Sequence, residues 1–412
     1  MRLPISAVLF LGLAASATAA PLTLHRGVGV HEWLNWSPVT ADKKYVWPPY
    51  RGISDWLAGY RSASDWPAGD EFVRIRAMGF DFIRLSVDPG PLLASSGKKR
   101  QQALDILKAD VMQVAASGLK VVFNLQAVSQ VPAYSMDIVN AGSSSAGVAR
   151  YREMTADVAG MLAPIGTDKV ALEPFNEPAY YPCDTKGRGD WQKAMKAEVA
   201  AIRAVSPDLT IVATGACGGS VDGLVDLDPS FDDPNILYSF HMYDPHTFTH
   251  QRLDDPQMFG SGLPWPPSAS TPDQVIAALK ARMDAAGIDP GAEASNLELV
   301  APIVAKYFRD NWDEAALAAR FDDAVQWAKA HDIPPQRLFM GEFGAILMSD
   351  DGRMGAADAD RLRYLTDVRT DAEARHIIWS VWEYSNPFGM TVILPKGPAV
   401  PDPELLGALG LQ

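Results

Sequence analysis

Residues 170–181 read VALEPFNEPAYY. A short apolar run closes there on Glu173, Asn176 and Glu177. A continuous apolar run of this length fits a strand buried on both faces, and charge gathered where it stops marks a functional rim. Whether the chain repeats the unit decides the fold. Seven further runs match it: LHRGVGV from Leu24, FDFIRLSV from Phe80, LKVVFNLQ from Leu119, LTIVATG from Leu209, ILYSFHMY from Ile236, RLFMGEFG from Arg337 and HIIWSVWE from His376. Helix-like segments such as ALDILKADVMQVAAS, YREMTADVAGML and WQKAMKAEVAAIRAV alternate with them.

Eight strand–helix units predict an α/β fold, a (β/α)8 TIM barrel with long decorated βα loops. A doubly wound open sheet normally stops at about five or six strands and often carries a glycine-rich phosphate turn, and neither GxGxxG nor GxxxxGK[ST] occurs. The fifth helix is the thinnest, since GGSVDGLVDLDPS is short and glycine-rich. The segment between the sixth and seventh strands is long and holds more than one helix. Loops after the first, third, fourth and sixth strands are the longest, which places them on the carboxyl face, where barrels build their sites.

The first twenty residues, MRLPISAVLFLGLAASATAA, have a basic start, an apolar run and a small-residue end at Ala17-Thr18-Ala19. This is the pattern of a cleaved secretory signal, with cleavage near Ala19 or Ala20 and a secreted or periplasmic destination. Residues 21–412 are then expected to form a single catalytic domain. Without Arg2 the chain has 35 basic and 50 acidic residues, a formal charge of -15. That charge repels phosphate backbones and anionic lipid, so no nucleic acid and no membrane partner is expected. The two cysteines, Cys183 and Cys217, are read as a disulfide rather than a metal site, which wants three or four ligands. It closes a loop of about 35 residues, worth on the order of 3–4 kcal/mol.

Side chains two apart on a strand share a face. Arg84 then goes with Phe82 and Ser86; Ser239, His241 and Tyr243 go together; so do Leu338, Met340 and Glu342, and Ile378, Ser380 and Trp382. If these faces turn inward, an arginine, a histidine, a tyrosine, a tryptophan and two glutamates meet at one end of the barrel. That is the make-up of a site rather than a core.

In order along the chain, FNEP preceded by Glu173, then HMY, GEFG and WSVWE resemble glycoside hydrolase family 5, the cellulase family. The resemblance runs from RGVGVHEW near Arg26 to WEYSN near Ser385. It implies a retaining hydrolase in which Glu177 is the general acid/base and Glu342 the nucleophile. It also implies that Asn176 binds a sugar 2-hydroxyl and that Arg84, His241, Tyr243 and Trp382 complete the active site. Retention requires an acid on the leaving oxygen and a carboxylate at the anomeric carbon, about 5–5.5 Å apart. Arg84 and Tyr243 are expected to hold Glu342 ionised, and the charge on Glu342 to raise the pKa of Glu177. One position departs from the family pattern: where a histidine is usual after the third strand, this chain has Gln126, which hydrogen-bonds but carries no charge.

Loop aromatics suit the apolar C–H faces of sugar rings, and Trp33 and Trp382 are the expected platforms; the plainer alternative is that most loop aromatics pin loops. His31 at the first strand end is a substrate-contact candidate, and HEWLN lacks the second histidine of a zinc motif. Glu173 is expected to be buried as a support. No metal and no cofactor is expected, and the partner is a β-linked polysaccharide or oligosaccharide. Within the class an endo-β-1,4-glucanase leads, with a β-mannanase, an exo-β-glucanase or a β-glucosidase as alternatives. A non-catalytic carbohydrate-binding barrel is the alternative outside it.

Overall fold

The computed structural model of the chain describes residues 21–58, 71–179, 185–231, 233–251, 257–387, 389–393 and 401–412. The expected leader, 1–20, lies outside the described residues. Eight parallel strands close into a barrel in chain order: β1 Arg26–Leu34, β2 Phe82–Val87, β3 Lys120–Leu125, β4 Val170–Glu173, β5 Thr210–Thr214, β6 Ile236–Met242, β7 Leu338–Phe343 and β8 Ile378–Val381. β8 pairs with β1, so no strand edge is left open. Six of the eight strands are buried along their whole length, which is why their sequences run apolar without alternation.

Helices cover the barrel from outside, among them Gly97–Ala116, Ala146–Leu162 and Asp358–Ala374. The helix after β5, Val221–Val225, is a single short turn, as the glycine-rich sequence requires. Three long helices lie among the described residues of the β6–β7 connection: Pro272–Ala285, Pro290–Asp310 and Glu314–Ala330. Each has a local start signal. Thr271 and Gln274 form a reciprocal capping box, while Asp289 and Asp313 accept backbone N–H groups of the second and third helices.

The barrel interior is layered. At the amino end, Phe82, Val122, Ala171, Val212, Leu237, Phe339 and Ile378 supply one apolar side chain from each of β2 to β8, and Leu22 and Leu24 close the layer. β1 contributes Gly27, and a Cβ there would lie 2.2 Å from the Phe82 ring, so the first strand yields its place to that ring. Two residues further along, the layer turns polar: Arg84, Asn124, Glu173, Thr214, Ser239 and Ser380 are all fully buried.

β7 breaks the expected parity. Phe339 faces inward, while Leu338 and Met340 belong to the larger cluster between sheet and helices. The expectation that Leu338, Met340 and Glu342 share the inner face is therefore wrong. The β6–β7 register pairs Phe240 with Met340 and then His241 with Glu342, skipping Gly341. This bulge inserts one residue and so returns Glu342 to the inside.

The Gly27–Phe82 contact yields a stability prediction. Gly27→Ala overpacks the lower layer and is expected to cost about 1–3 kcal/mol, read as a lowered thermal midpoint. Phe82→Leu in the same chain recovers part of the loss. Full stability of Gly27→Ala alone would show that the layer has slack.

Candidate active site

The FNEP segment leaves β4 in a conformation held from three sides. The Tyr151 hydroxyl donates to the Pro174 carbonyl at 2.7 Å, the Thr214 hydroxyl to the Phe175 carbonyl at 3.0 Å, and the Gly218 N–H to the Pro178 carbonyl at 2.9 Å. Phe175 points away from the mouth and packs between Tyr151 and Trp191, with centroids 5.1 and 4.7 Å away. Anchoring Phe175 outward turns Asn176 and Glu177 toward the barrel axis.

Below them lies Arg84, fully buried on β2. Its Nε and Nη2 grip Glu173 at 2.7 and 3.1 Å, its Nη1 donates to Glu342 at 2.6 Å, and Nη2 also donates to Asn176 Oδ1 at 2.7 Å. Burial pulls the guanidinium pKa down, but Glu173 and Glu342 outweigh it, so the pKa is raised and the group stays a cation. Glu173 is thus the buried support expected of it.

Glu342, on β7, accepts from Arg84 on one oxygen and from the Tyr243 hydroxyl on the other at 2.9 Å. Burial, then the charge of Glu342, pushes the Tyr243 pKa well above its ordinary value, so the hydroxyl keeps its proton. Across the mouth, Glu177 shares a 2.7 Å hydrogen bond with Nδ1 of His241, and the same nitrogen lies 3.5 Å from Glu342. One carboxylate oxygen of Glu177, one of Glu342 and one ring nitrogen of His241 all lie within 4.8 Å of one another.

Glu177 leaves 39% of its side chain open to the cleft, against 5% for Glu342. Even so, desolvation by the cleft walls pushes its pKa up to about 7, against the opposing pull of Arg84 and His246. The expected cause was repulsion by Glu342; the rise comes instead from burial by the surrounding protein. Burial also brings the His241 pKa down to about 4, against Glu342, so the ring is neutral near pH 7.

These groups line a cleft of about 420 Å³ together with Gln126, Ser220, Asp244, His246, His250 and Trp382. Gln126 stands where sequence placed it, accepting from Asn124 at 3.1 Å. Trp382 is half-buried on the rim. His31 is not among the described lining residues. It packs behind Trp382, ring centroids 4.9 Å apart, and its backbone N–H donates to Glu383.

Trp33 is not a platform. It is fully buried, stacks on Trp56 at 5.7 Å and donates its Nε1 to the Arg51 carbonyl at 2.9 Å, so it pins the first loop. Cys217 is disulfide-bonded; its expected partner, Cys183, lies outside the described residues. From sequence, His246 and His250 come into view only as metal-cluster partners of His241, a reading that their proline-rich loop argues against. Their rings stack 4.0 Å apart at 5° on the cleft wall, and the signal available was their i, i+4 spacing in HTFTH.

Two trios have the atoms of a metal site: Glu177, His241 and Glu342, and, outside the cleft lining, His31, Glu32 and Glu383. In the first, Arg84 and Tyr243 already engage both Glu342 oxygens and His241 engages Glu177. In the second, both Glu383 oxygens accept hydrogen bonds, from the His31 N–H and from Asn386. In both trios a cation would compete with these hydrogen bonds.

The Arg84 cluster makes a prediction. Arg84→Met strands buried carboxylates and is expected to cost about 3–5 kcal/mol in denaturant titration. Adding Glu173→Met replaces that ion pair with apolar volume and recovers a substantial part of the loss. An Arg84→Met chain as stable as its parent would contradict the cluster's role.

The model of the family Cellulase (glycosyl hydrolase family 5) matches residues 42–386. Endoglucanase 3 of Fibrobacter succinogenes is 28% identical over 253 residues, 60% of this chain and 35% of that protein. Cellodextrinase A of Ruminococcus flavefaciens is 25% identical over 182 residues, 43% of this chain and 52% of that protein. The matches thus span between a third and about half of the length of these curated relatives. Among solved structures, Thermotoga maritima Cel5A in complex with cellobiose superposes with a TM-score of 0.61 at 17% identity, covering 94% of this chain and 97% of that one. The same enzyme in complex with mannotriose gives 0.61 at 17%, with the same coverage. The endoglucanase of Bacteroides salanitronis gives 0.62 at 15%, covering 94% and 92%. These structural likenesses bear on the fold. The family match over most of the length, with the closed eight-stranded barrel beneath it, shows that this chain belongs to the cellulase family, glycosyl hydrolase family 5.

Proposed function

We propose that the chain is a retaining β-glycoside hydrolase, and within that class an endo-β-1,4-glucanase exported from the cell. The observation that carries the reading is the approach of Glu177 and Glu342, with oxygens within 4.8 Å. Retaining glycosidases hold their carboxyls about 5–5.5 Å apart, whereas inverting ones need about 6.5–9.5 Å to admit a water.

In the first step Glu342 attacks the anomeric carbon as the glycosidic C–O bond breaks, and Glu177 gives its proton to the departing oxygen. In the second, water attacks the anomeric carbon, the bond to Glu342 breaks, and Glu177 takes a proton from that water. Transglycosylation differs only in using a sugar hydroxyl in place of water. Asn176 spends its oxygen on Arg84, which leaves its amide nitrogen as donor to a sugar 2-hydroxyl. Trp382 offers the ring face for a sugar.

Substrate choice is the finer part of the reading. Thermotoga maritima Cel5A has been crystallised with both cellobiose and mannotriose, so mannan stands as the alternative polymer. Reducing-end release from carboxymethylcellulose, mannan, laminarin and a short aryl glucoside separates the options. Binding of oligosaccharide with no cleavage of any of them would favour the non-catalytic barrel.

Three measurements test the mechanism. A 2-fluoro glycoside inactivator is expected to leave its adduct on Glu342, located by mass spectrometry. Glu177→Gln is expected to lose about 10²–10⁴ in kcat/KM on an unactivated oligosaccharide but far less in kcat/KM on a dinitrophenyl glycoside, whose leaving group needs no proton in the first step. Glu177 must be protonated at the start, and its raised pKa means that it is so below pH of about 7. The basic limb of kcat/KM is therefore expected near pH 7, with activity lost as pH rises through it. An adduct on another residue would end the assignment of Glu342.

A further inference from the structure

β7 contains a glycine that no turn requires. Gly341 lies inside the strand with φ outside the left-handed region, so its backbone is open to other residues. A glycine within a strand gives up packing, and it marks a bulge or a close approach of neighbouring atoms. Both occur here. Gly341 is the residue skipped by the β6–β7 register. A Cβ on it would lie 3.0 Å from Nε2 and 3.2 Å from Cδ2 of His241, and 3.1 Å from Oγ of Ser239.

No hydrogen bond locates the far edge of the His241 ring. Its near edge is fixed by Nδ1, bonded to Glu177 at 2.7 Å and facing Glu342 at 3.5 Å. Nε2 is buried and makes no hydrogen bond, and neither does Ser239 Oγ beside it. The bare Cα side of Gly341 faces this edge and leaves no ordinary contact distance for a Cβ. A Cβ there needs its neighbours to give by a few tenths of an ångström, and Nδ1, across the ring from the Nε2–Cδ2 edge, faces the two carboxylates.

We infer that Gly341 is a positioning residue: its missing side chain sets the place of the His241 ring and, through the hydrogen bond at Nδ1, the place of the Glu177 carboxyl. The inference rests on the proposed two-glutamate reading. It adds that the glycine ahead of the nucleophile candidate serves the opposite carboxylate, on another strand.

Gly341→Ala tests it, because alanine suits the backbone and alters only the space. A displacement of a few tenths of an ångström in the acid is expected to lower kcat on cellotetraose roughly tenfold. KM on cellotetraose is expected to stay within about threefold, and kcat/KM on a dinitrophenyl β-cellobioside, which reports the first step alone, to fall by less than about threefold, since that leaving group does not use the acid. The basic limb of kcat/KM should move on cellotetraose. Adding Ser239→Ala relieves the 3.1 Å contact and is expected to restore part of the cellotetraose rate; if Gly341→Ala alone does not fold, this double variant carries the test. Equal losses on both substrates, or an unchanged cellotetraose rate in a folded variant, would overturn the inference. Ring ¹⁵N NMR signals of His241 report the displacement without turnover. If the parent chain cleaves neither substrate, the enzymatic reading fails, and the inference stands or falls on whether those signals shift in the variant.

Discussion

The site depends on one buried guanidinium. Arg84 joins three strands at the carboxyl end of the barrel: it stands on β2, grips Glu173 on β4 through two nitrogens, and reaches Glu342 on β7. Removing an arginine and two carboxylates from water is costly, and their mutual attraction repays that cost only when every lone pair and N–H is matched. Here the fork is matched, since Asn176 takes the remaining reach of Nη2. Such a cluster is weak evidence for added stability and strong evidence for fixed geometry, because a buried charge network has few alternative arrangements of similar energy. Fixed geometry is what a pair of reacting carboxylates requires.

The two glutamates then differ because their surroundings differ. Glu342 lies deep, with Arg84 on one oxygen and Tyr243 on the other. Glu177 reaches into the cleft, has His241 as its partner, and is pushed up to about 7 by desolvation. The neutrality of His241 matters to this. A protonated imidazole 2.7 Å from Glu177 would pull its pKa down and cancel the effect of burial. Burial of the ring prevents that by holding the His241 pKa near 4. The same low-polarity wall therefore acts on Glu177 twice, once directly and once by keeping its neighbour uncharged.

The barrel was legible in the sequence because each parallel strand is covered on both faces and announces itself as an unbroken apolar run. Period-two counting also placed Arg84 and His241 correctly, since β2 and β6 keep regular alternation through those residues, and Trp382 lines the cleft from one residue past the end of β8. It gave the right side for Glu342 by the wrong route, because a bulge is one unpaired residue and leaves period and composition almost untouched. Gly341 was the available sign, as an isolated glycine in a strand pattern. Trp33 shows a different limit: ring type fits a sugar platform and a loop pin equally well. Its partners, Arg51 and Trp56, decide the matter, and they meet it only after the first loop has folded back. The pKa of Glu177 was expected in the right direction from pair charges alone, but its main cause is the protein wall, which no spacing of residues encodes.

Parallel strands make the layered interior into a division of labour. All eight run the same way, so inward positions at one level meet in a common plane: an apolar disc at the amino end, a fully buried polar disc above it, and the reacting groups at the mouth. The lower disc is tight enough that β1 supplies a glycine to make room for Phe82. The polar disc has slack in it, with Ser239 and Ser380 making no hydrogen bonds through their hydroxyls. Small side chains there leave the long reach of Arg84 unobstructed, which lets a residue of β2 touch β4 and β7 at once. A bulkier polar disc would hold its own strands together better and would separate Arg84 from the carboxylates it aligns. The interior thus gives up packing at the one level where a long side chain has to cross it.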